Sequence, residues 1–88
     1  MSEENELNRQ VVLEYLALRP TGAFSSDTIT RMINTRGMVD EELTVKEVES
    51  ALAFLLGLDY VSVQHGGLGS SKHWQATSAG ILFYERGE

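Results

Sequence analysis

The sequence predicts a small α+β domain that is mostly helical, and three observations lead to this class. Eighty-eight residues with one proline and no cysteine provide for one hydrophobic core without a disulfide framework. Hydrophobic residues form 42% of the chain and charged residues 23%, which is ordinary for a folded globular protein. Apolar residues recur at helical spacing over most of the chain and change to alternation near residue 60. We therefore expect three helices, a β-hairpin and a short last helix.

The chain begins with an acidic stretch followed by the first helix. Residues 1–6 contain three glutamates and are predicted to form a disordered acidic tail, with a single domain spanning residues 7–88. From Leu7 to Leu18 most apolar residues cover a sector of roughly 180°, so this helix should have neighbours on more than one side. Pro20 and Gly22 then end it, because proline cannot continue a helix and glycine permits a turn.

Capping residues mark the second and third helices. The polar residues 25–27 are candidate N-caps of the second helix, and Gly37 is its expected stop. The third helix opens with a capping box, in which the Thr44 hydroxyl bonds the amide of Glu47 and the Glu47 carboxylate reaches back to the amide of Thr44. Gly57 is expected to close this helix.

Alternating apolar and polar residues predict the hairpin. Residues 60–64 and 73–76 alternate on either side of the glycine-rich segment 66–71, as in two strands joined by a turn. A short extended piece is expected at residues 23–24, and a capped last helix over residues 79–86. The strand residues that point to one core are Val61, Val63, Trp74 and Ala76.

The order helix, short strand, helix, turn, helix, hairpin, helix resembles the winged-helix variant of the helix-turn-helix. The resemblance runs from Val11 to Glu85 and rests on the spacing of the second and third helices and on the exit from Leu58 into a strand. The passage from Trp74 to Gly80 is also similar to the wing-to-helix segment of many bacterial regulators. The resemblance implies a three-helix core, a β-hairpin wing and a short C-terminal helix, in a bacterial or phage transcription-regulator-like protein.

The resemblance also implies which residues would meet double-stranded DNA. In the family the third helix enters the major groove, while the wing lies on the backbone or in the minor groove. The recognition-helix residues carried over by position are Thr44, Lys46, Glu47 and Ser50. The residues that would hold the DNA backbone are Ser25, Arg31 and Asn34, with Ser70, Ser71 and Lys72 in the wing.

The charge pattern differs from that of a typical DNA reader and keeps a second hypothesis open. The chain has a formal net charge of −6, and residues 37–50 contain five acids and one base, a local −4. DNA phosphates would approach this segment, where carboxylates repel them. The alternative is an acidic winged-helix interaction module that engages a basic protein partner without DNA. Its residues would be Phe54, Ala53, Asp40, Glu41 and Glu42.

The first and last helices carry apolar residues on more than one face. One explanation is the seam of a two-fold homodimer. The other is that these two helices pack against each other within one chain. The residues assigned to the seam are Leu13, Leu16, Ile81 and Tyr84. Phe54 has a similar alternative, because it could pack under the wing or against the first helix instead of anchoring a partner.

Several functional classes are disfavoured, and we expect a non-catalytic protein without cofactor or metal. The chain has no cysteine and two histidines, too few for a thiolate or His-rich metal site. The glycine-rich segment 66–72 lacks the spacing of a phosphate-binding P-loop. The N-terminus lacks the basic and apolar regions of a signal peptide, and the run 51–58 is far shorter than the ~20 residues of a membrane span. A cytoplasmic location is therefore expected.

Overall fold

Helices and one hairpin form the part of the chain that the computed structural model describes, residues 2–65 and 72–87. The elements in chain order are α1 (Ser2–Ala17), α2 (Ser26–Arg36), α3 (Val45–Gly57), β1 (Val61–His65), β2 (Lys72–Ala76) and α4 (Ser78–Arg86). This order confirms the predicted mostly helical α+β class, with three helices, a hairpin and a short last helix. Within the described ranges, no helix combines the length and hydrophobicity needed to cross a bilayer.

Helix α1 begins earlier than predicted. Residues 1–6 were expected to form a disordered tail and the helix to begin at Leu7, whereas α1 starts at Ser2. The sequence offers a physical reason, because three of the first six residues are glutamates. Acidic residues in the first turns of a helix interact favourably with its positive N-terminal end. The same residues that suggest a solvated tail therefore also favour helix.

The hydrophobic core is assembled around α1, which contacts α2, α3, α4 and β2. This arrangement explains the wide apolar sector predicted for α1. Tyr15 at its centre is buried, and its ring meets that of Phe24 edge-on with centroids 5.4 Å apart. The other fully buried large side chains come from four elements: Val12, Leu16, Ile29, Ile33, Val48, Leu52 and Val61.

The two α1 residues of the predicted homodimer seam are buried within one chain, which agrees with the alternative of packing inside the molecule. Leu13 and Leu16 are 3% and 0% exposed and belong to the core of a single chain. The physical reason is that α1 packs against four other elements, so these side chains belong to the core they share. On α4, Ile81 is partly buried against the same core, whereas Tyr84 remains 36% exposed. Leu13 and Tyr84 border one groove, which Leu16 and Ile81 do not line.

The hairpin is an antiparallel pair that is extended by a residue from outside it. Val61 pairs with Ala76 and Val63 with Trp74, so the predicted core-facing residues occupy one side of the sheet. Phe24 forms an isolated bridge with Trp74, with N···O distances of 3.0 and 2.7 Å for the two reciprocal hydrogen bonds. The predicted short extended piece at 23–24 is thus the third, one-residue strand of the sheet.

The helix starts follow the predicted capping chemistry. Ser25 is the N-cap of α2, and its hydroxyl accepts a hydrogen bond from the amide of Thr28 at 3.2 Å. At α3, the amide of Glu47 donates to the Thr44 hydroxyl at 3.1 Å and the amide of Thr44 donates to the Glu47 carboxylate at 3.0 Å. Gly37 ends α2 in the left-handed conformation, with φ 70°. Each of these satisfies backbone groups that a helix end leaves unpaired.

Helix α3 ends at Gly57, as predicted, but the residue of its cap in the left-handed conformation is Asp59, with φ 68°. The amide of Tyr60 donates to the carbonyl of Leu55 at 3.0 Å and that of Asp59 to the carbonyl of Leu56 at 3.0 Å. This is the hydrogen-bond pattern of a Schellman motif. Asp59 is tolerated there because aspartate, unlike most non-glycine residues, adopts this conformation at modest cost.

Helix α4 is held against the start of β1 by a close backbone approach. The Thr77 hydroxyl donates to the carbonyl of Asp59 at 2.7 Å and accepts from the amide of Gly80 at 3.0 Å. The amide of Thr77 donates to the carbonyl of Tyr60, and the Tyr60 ring stacks on Phe83 at a centroid distance of 4.7 Å. A Cβ atom on Gly80 would overlap the Tyr60 carbonyl oxygen. Only glycine therefore fits at this contact.

We expect Gly80→Ala to destabilise the fold by roughly 1–3 kcal/mol, the usual cost of inserting a group where there is no space for it. Urea unfolding followed by circular dichroism measures the change. The matched control is Gly57→Ala, at a helical position where an added Cβ meets nothing within 4 Å. That variant should gain up to about 1 kcal/mol, because alanine is the better helix former. Equal effects of the two substitutions would contradict the close approach at Gly80.

We expect Asp59→Gly to stabilise the protein by about 0.5–1 kcal/mol, because glycine adopts the left-handed conformation without the penalty of a Cβ atom. Asp59→Asn should be nearly neutral, since asparagine is the other residue that tolerates this conformation. Thermal and urea unfolding of both variants test the expectation. A loss of stability in Asp59→Gly would show that the carboxylate has a role beyond the backbone turn.

Candidate nucleic-acid interface

Helix α3 is buried along one face and presents the opposite face to solvent. Its buried residues, among them Val48, Leu52 and Leu55, pack into the core at helical spacing. Lys46 and Ser50 are exposed, as a recognition helix requires. By the 100° spacing of an α-helix, the outermost row consists of Lys46, Ser50, Ala53 and Gly57.

Two of the predicted recognition residues are engaged in capping. The side chains of Thr44 and Glu47 bond each other's backbone amides and are 3.4 Å apart at their oxygen atoms. Glu47 also borders a shallow depression of about 120 Å³ that it shares with Asn8, Arg9 and Ser50. Glu47 therefore lies toward α1, and its first role is to fix the start of α3.

A cleft separates the start of α2, the outer side of α3 and the base of the hairpin. Its volume is about 440 Å³, and its lining residues are Ser25, Ser26, Asp27, Glu49, Ala53, Lys72 and Trp74. The cleft brings together Ser25 and Lys72, which were predicted to hold the DNA backbone from two separate segments. Glu49 and Trp74 were not predicted as site residues. The sequence does contain a signal for Glu49, because residues three apart on a helix are neighbours and Glu49 follows Lys46 by three.

The cleft carries more negative than positive charge. Asp27 and Glu49 contribute two carboxylates against the single ammonium of Lys72, a formal balance of −1. The Ser26 hydroxyl donates to the Glu49 carboxylate at 3.0 Å, which joins the start of α2 to α3. A phosphate entering the cleft would meet Lys72 and the amides at the start of α2, but also the Glu49 carboxylate.

The two α2 residues predicted to contact the DNA backbone have different environments. The Asn34 side chain donates to the carbonyl of Leu43 and accepts from its amide, both at 2.9 Å. This pair of bonds closes the loop between α2 and α3, so Asn34 has a structural role that the predicted phosphate contact did not include. Arg31 is exposed and does not line the cleft.

The wing is described only at its base. Lys72 is exposed at the first position of β2. The other two predicted wing residues, Ser70 and Ser71, lie outside the described residues.

The residues predicted for a protein partner do not form one surface. Phe54 is 42% exposed and faces α1, where the guanidinium carbon of Arg9 lies 3.5 Å from the ring centroid. The exposed acids 40–42 precede the other end of α3, about 15 Å away along the helix axis at 1.5 Å per residue. Ala53 is exposed but lines the cleft instead of the Arg9 contact.

No group of three or more His, Cys, Asp or Glu side chains in the described ranges could hold a metal ion. The arrangement of the candidate interface is therefore one of helix ends, hydroxyls and single charges. Such groups hydrogen-bond phosphates and base edges.

We expect Asn34→Ala to lower the free energy of unfolding by roughly 1–3 kcal/mol, because it leaves the amide and carbonyl of Leu43 without their partners. The exposed neighbour Thr35→Ala is the control and should change stability by less than about 0.5 kcal/mol. Urea unfolding compares the two. If Asn34→Ala is as stable as wild type, the bonds to Leu43 contribute little to the fold, and a role of Asn34 in binding becomes the better explanation.

Comparisons with known proteins concern the fold. No family model matches the chain, and no curated protein matches it. A transcriptional regulator from Clostridium thermocellum, Cth-833, superposes with a TM-score of 0.81 and 17% identity, over 99% of this chain and 82% of its own. The structure of SSV1 F-93 superposes with a TM-score of 0.67 and 16% identity, over 90% of this chain and 79% of its own. A mutant of Lactococcus lactis ZitR superposes with a TM-score of 0.66 and 12% identity, over 88% of this chain and 48% of its own.

At these identities the likeness is one of architecture. It extends over nearly the whole chain in the first case, and it includes the α2–α3 pair, the hairpin and the terminal helix. The order of elements found here agrees with it. The chain therefore has the winged helix-turn-helix fold.

Proposed function

We propose that this chain is a small, non-catalytic DNA-binding protein of the transcription-regulator type, acting in the cytoplasm as a homodimer. The observation that carries the proposal is the exposed start of α3, where Lys46 and Ser50 lie on the face turned away from the core. The description of the Clostridium thermocellum neighbour as a transcriptional regulator supports the same function class.

In the proposed complex the first turns of α3 enter the major groove. A lysine there donates to the O6 and N7 acceptors of guanine, and a serine hydroxyl bonds either a base edge or a phosphate. Lys46 and Ser50 are the residues for these contacts. The capping box and the bonds from Asn34 to Leu43 hold the start of α3 in place before DNA arrives, so little ordering is required on binding.

Backbone contacts in this complex come from the two sides of the cleft. The amides at the start of α2 lie at the positive end of its macrodipole, and Ser25 caps that end. Lys72 adds the charge of the hairpin base. These groups are few, and the Glu49 carboxylate repels the phosphate that they would bind. Because each neutralised phosphate adds to affinity by releasing counterions, we expect a binding constant that is modest and strongly dependent on salt.

The proposal predicts opposite effects of two charge changes on α3. Lys46→Ala should weaken binding to a mixed duplex pool, and Glu49→Gln should strengthen it, each by roughly three- to tenfold, the effect of about 1 kcal/mol for one charge in a water-like environment. Lys72→Ala, which removes the proposed phosphate contact at the hairpin base, should reduce the slope of log K against log salt by about 0.9. Fluorescence anisotropy of a labelled duplex at about 50 mM salt and above measures both quantities.

The control is Glu85→Gln, which removes the same charge from an exposed position on α4. It should leave binding within about twofold of wild type, since a distant exposed charge is screened. Equal gains in Glu49→Gln and Glu85→Gln would indicate a net-charge effect without a binding face. Absence of wild-type binding to any duplex at about 50 mM salt would reject the DNA proposal and leave the protein-partner hypothesis.

A further inference from the structure

Glu49 is an acidic side chain at a place where DNA phosphates would be repelled. It is exposed on α3, and its neighbours one helical turn away are Lys46 and Ala53. Glu49 and Ala53 both line the cleft between α2, α3 and the hairpin base. A carboxylate on a DNA-reading face lowers the affinity for every duplex, because it repels the phosphates. Attraction of the DNA backbone is therefore not the role of this side chain.

The Glu49 side chain is oriented by a residue of another helix. The Ser26 hydroxyl, at the first position of α2, donates to Oε2 of the Glu49 carboxylate at 3.0 Å. The donor is a neutral hydroxyl, so this bond directs the carboxylate into the cleft without neutralising its charge. Ser26 follows the Ser25 cap directly, and the start of α2 thus determines where the carboxylate lies.

The carboxylate of Glu49 has acceptor capacity beyond the bond to Ser26. An ionised carboxylate offers about four acceptor positions on its two oxygens. The Ser26 bond uses one of them, on Oε2. Oε1 is not part of that bond, and at an exposed position it can accept from a donor outside the chain. The partner that suits this side chain is therefore a hydrogen-bond donor.

Cytosine is the base whose major-groove edge suits such an acceptor. Its N4 amine is a donor, and the base presents no acceptor of its own in that groove. Guanine presents the acceptors O6 and N7, and thymine presents the acceptor O4. Adenine places its acceptor N7 beside its N6 donor, so a carboxylate meets repulsion together with the bond. Among the four bases, a carboxylate on a reading helix therefore favours cytosine.

We propose that Glu49 is a specificity-determining residue that accepts a hydrogen bond from the N4 amine of cytosine. This inference rests on the proposed function, because it names the class of duplex that the same helix face reads. Residues three apart on a helix have Cβ atoms about 5–6 Å apart, which exceeds the roughly 3.4 Å step between base pairs. Glu49 therefore reads the base pair next to the guanine that Lys46 binds, and the preferred duplex contains two neighbouring G·C pairs.

The proposal gives the same carboxylate opposite effects on two kinds of duplex. Phosphates repel Glu49 in every duplex, but only a correctly placed cytosine compensates with a hydrogen bond. Glu49→Gln removes the charge with little change in size, and glutamine pairs with N6 and N7 of adenine. The substitution should therefore strengthen binding to a mixed pool and weaken binding to the preferred duplex. Repulsion alone predicts stronger binding to both.

Selection of bound duplexes from a random pool, followed by sequencing, tests the proposal on the full chain. Wild type should enrich cytosine over each other base by about fivefold or more in the pair next to an enriched guanine. Glu49→Gln should enrich adenine at that position instead. Glu85→Gln is the matched control, because it removes the same charge from α4, and it should select the same bases as wild type.

Ser26 is a positioning residue in this proposal, and its variants test that role. Ser26→Ala should reduce the enrichment of cytosine by about twofold or more, because the Glu49 side chain then has to be ordered during binding. Ser26→Thr keeps a hydroxyl and should restore the enrichment. Circular dichroism checks that each variant is folded. A purely structural Ser26 would instead lower the melting temperature of Ser26→Ala and leave the base preference unchanged.

Fluorescence anisotropy on two duplexes gives the decisive comparison. One duplex is the sequence selected by wild type, and the other differs only by T·A in place of the C·G pair assigned to Glu49. Glu49→Gln should bind the first about threefold or more weakly than wild type and the second more tightly. Tighter binding of Glu49→Gln to both duplexes, or an unchanged preference for cytosine, overturns this inference and leaves the DNA proposal in place. Absence of wild-type binding to any duplex at about 50 mM salt overturns both.

Discussion

The structure depends on α3 being buried along one face while the opposite face stays in solvent. Val48 and Leu52 fix the buried face, and α1 and α2 cover it. The ends of the helix are then determined by polar groups: the Thr44 box at the start and the Asp59 turn at the finish. Because both the rotation and the length of α3 are set in this way, the residues that it presents outward are fixed before any partner binds.

The electrostatics of the outer face explain what kind of DNA contact the chain can make. A net charge of −6 and a cleft with more carboxylates than ammonium groups leave little general attraction for a polyanion. In the proposed complex, binding therefore rests on a few well-placed donors. In that complex the Ser26–Glu49 bond holds a carboxylate where a phosphate would approach, which opposes binding.

The sequence was sufficient for the fold because its signals are local. Capping residues such as Thr44 and Gly37, and the change of apolar period near residue 60, identify elements without knowledge of their neighbours. The sequence did not reveal features that tertiary contacts decide. Leu13 is covered by helices distant in sequence, Asn34 is occupied by a loop backbone, and the turn at Asp59 follows from bonds to α3. The cleft at Glu49 and the Arg9–Phe54 contact also require segments that only folding brings together.

The bridge between Phe24 and Trp74 has a mechanical consequence. It ties the middle of β2 to the residue immediately before the Ser25 cap, with the Tyr15 ring packed edge-on behind it. A force that tilts the hairpin is therefore delivered directly to the first turn of α2, and through the Ser26–Glu49 bond to α3. The three elements that line the cleft are therefore coupled, and we expect a displacement of one of them to move the others.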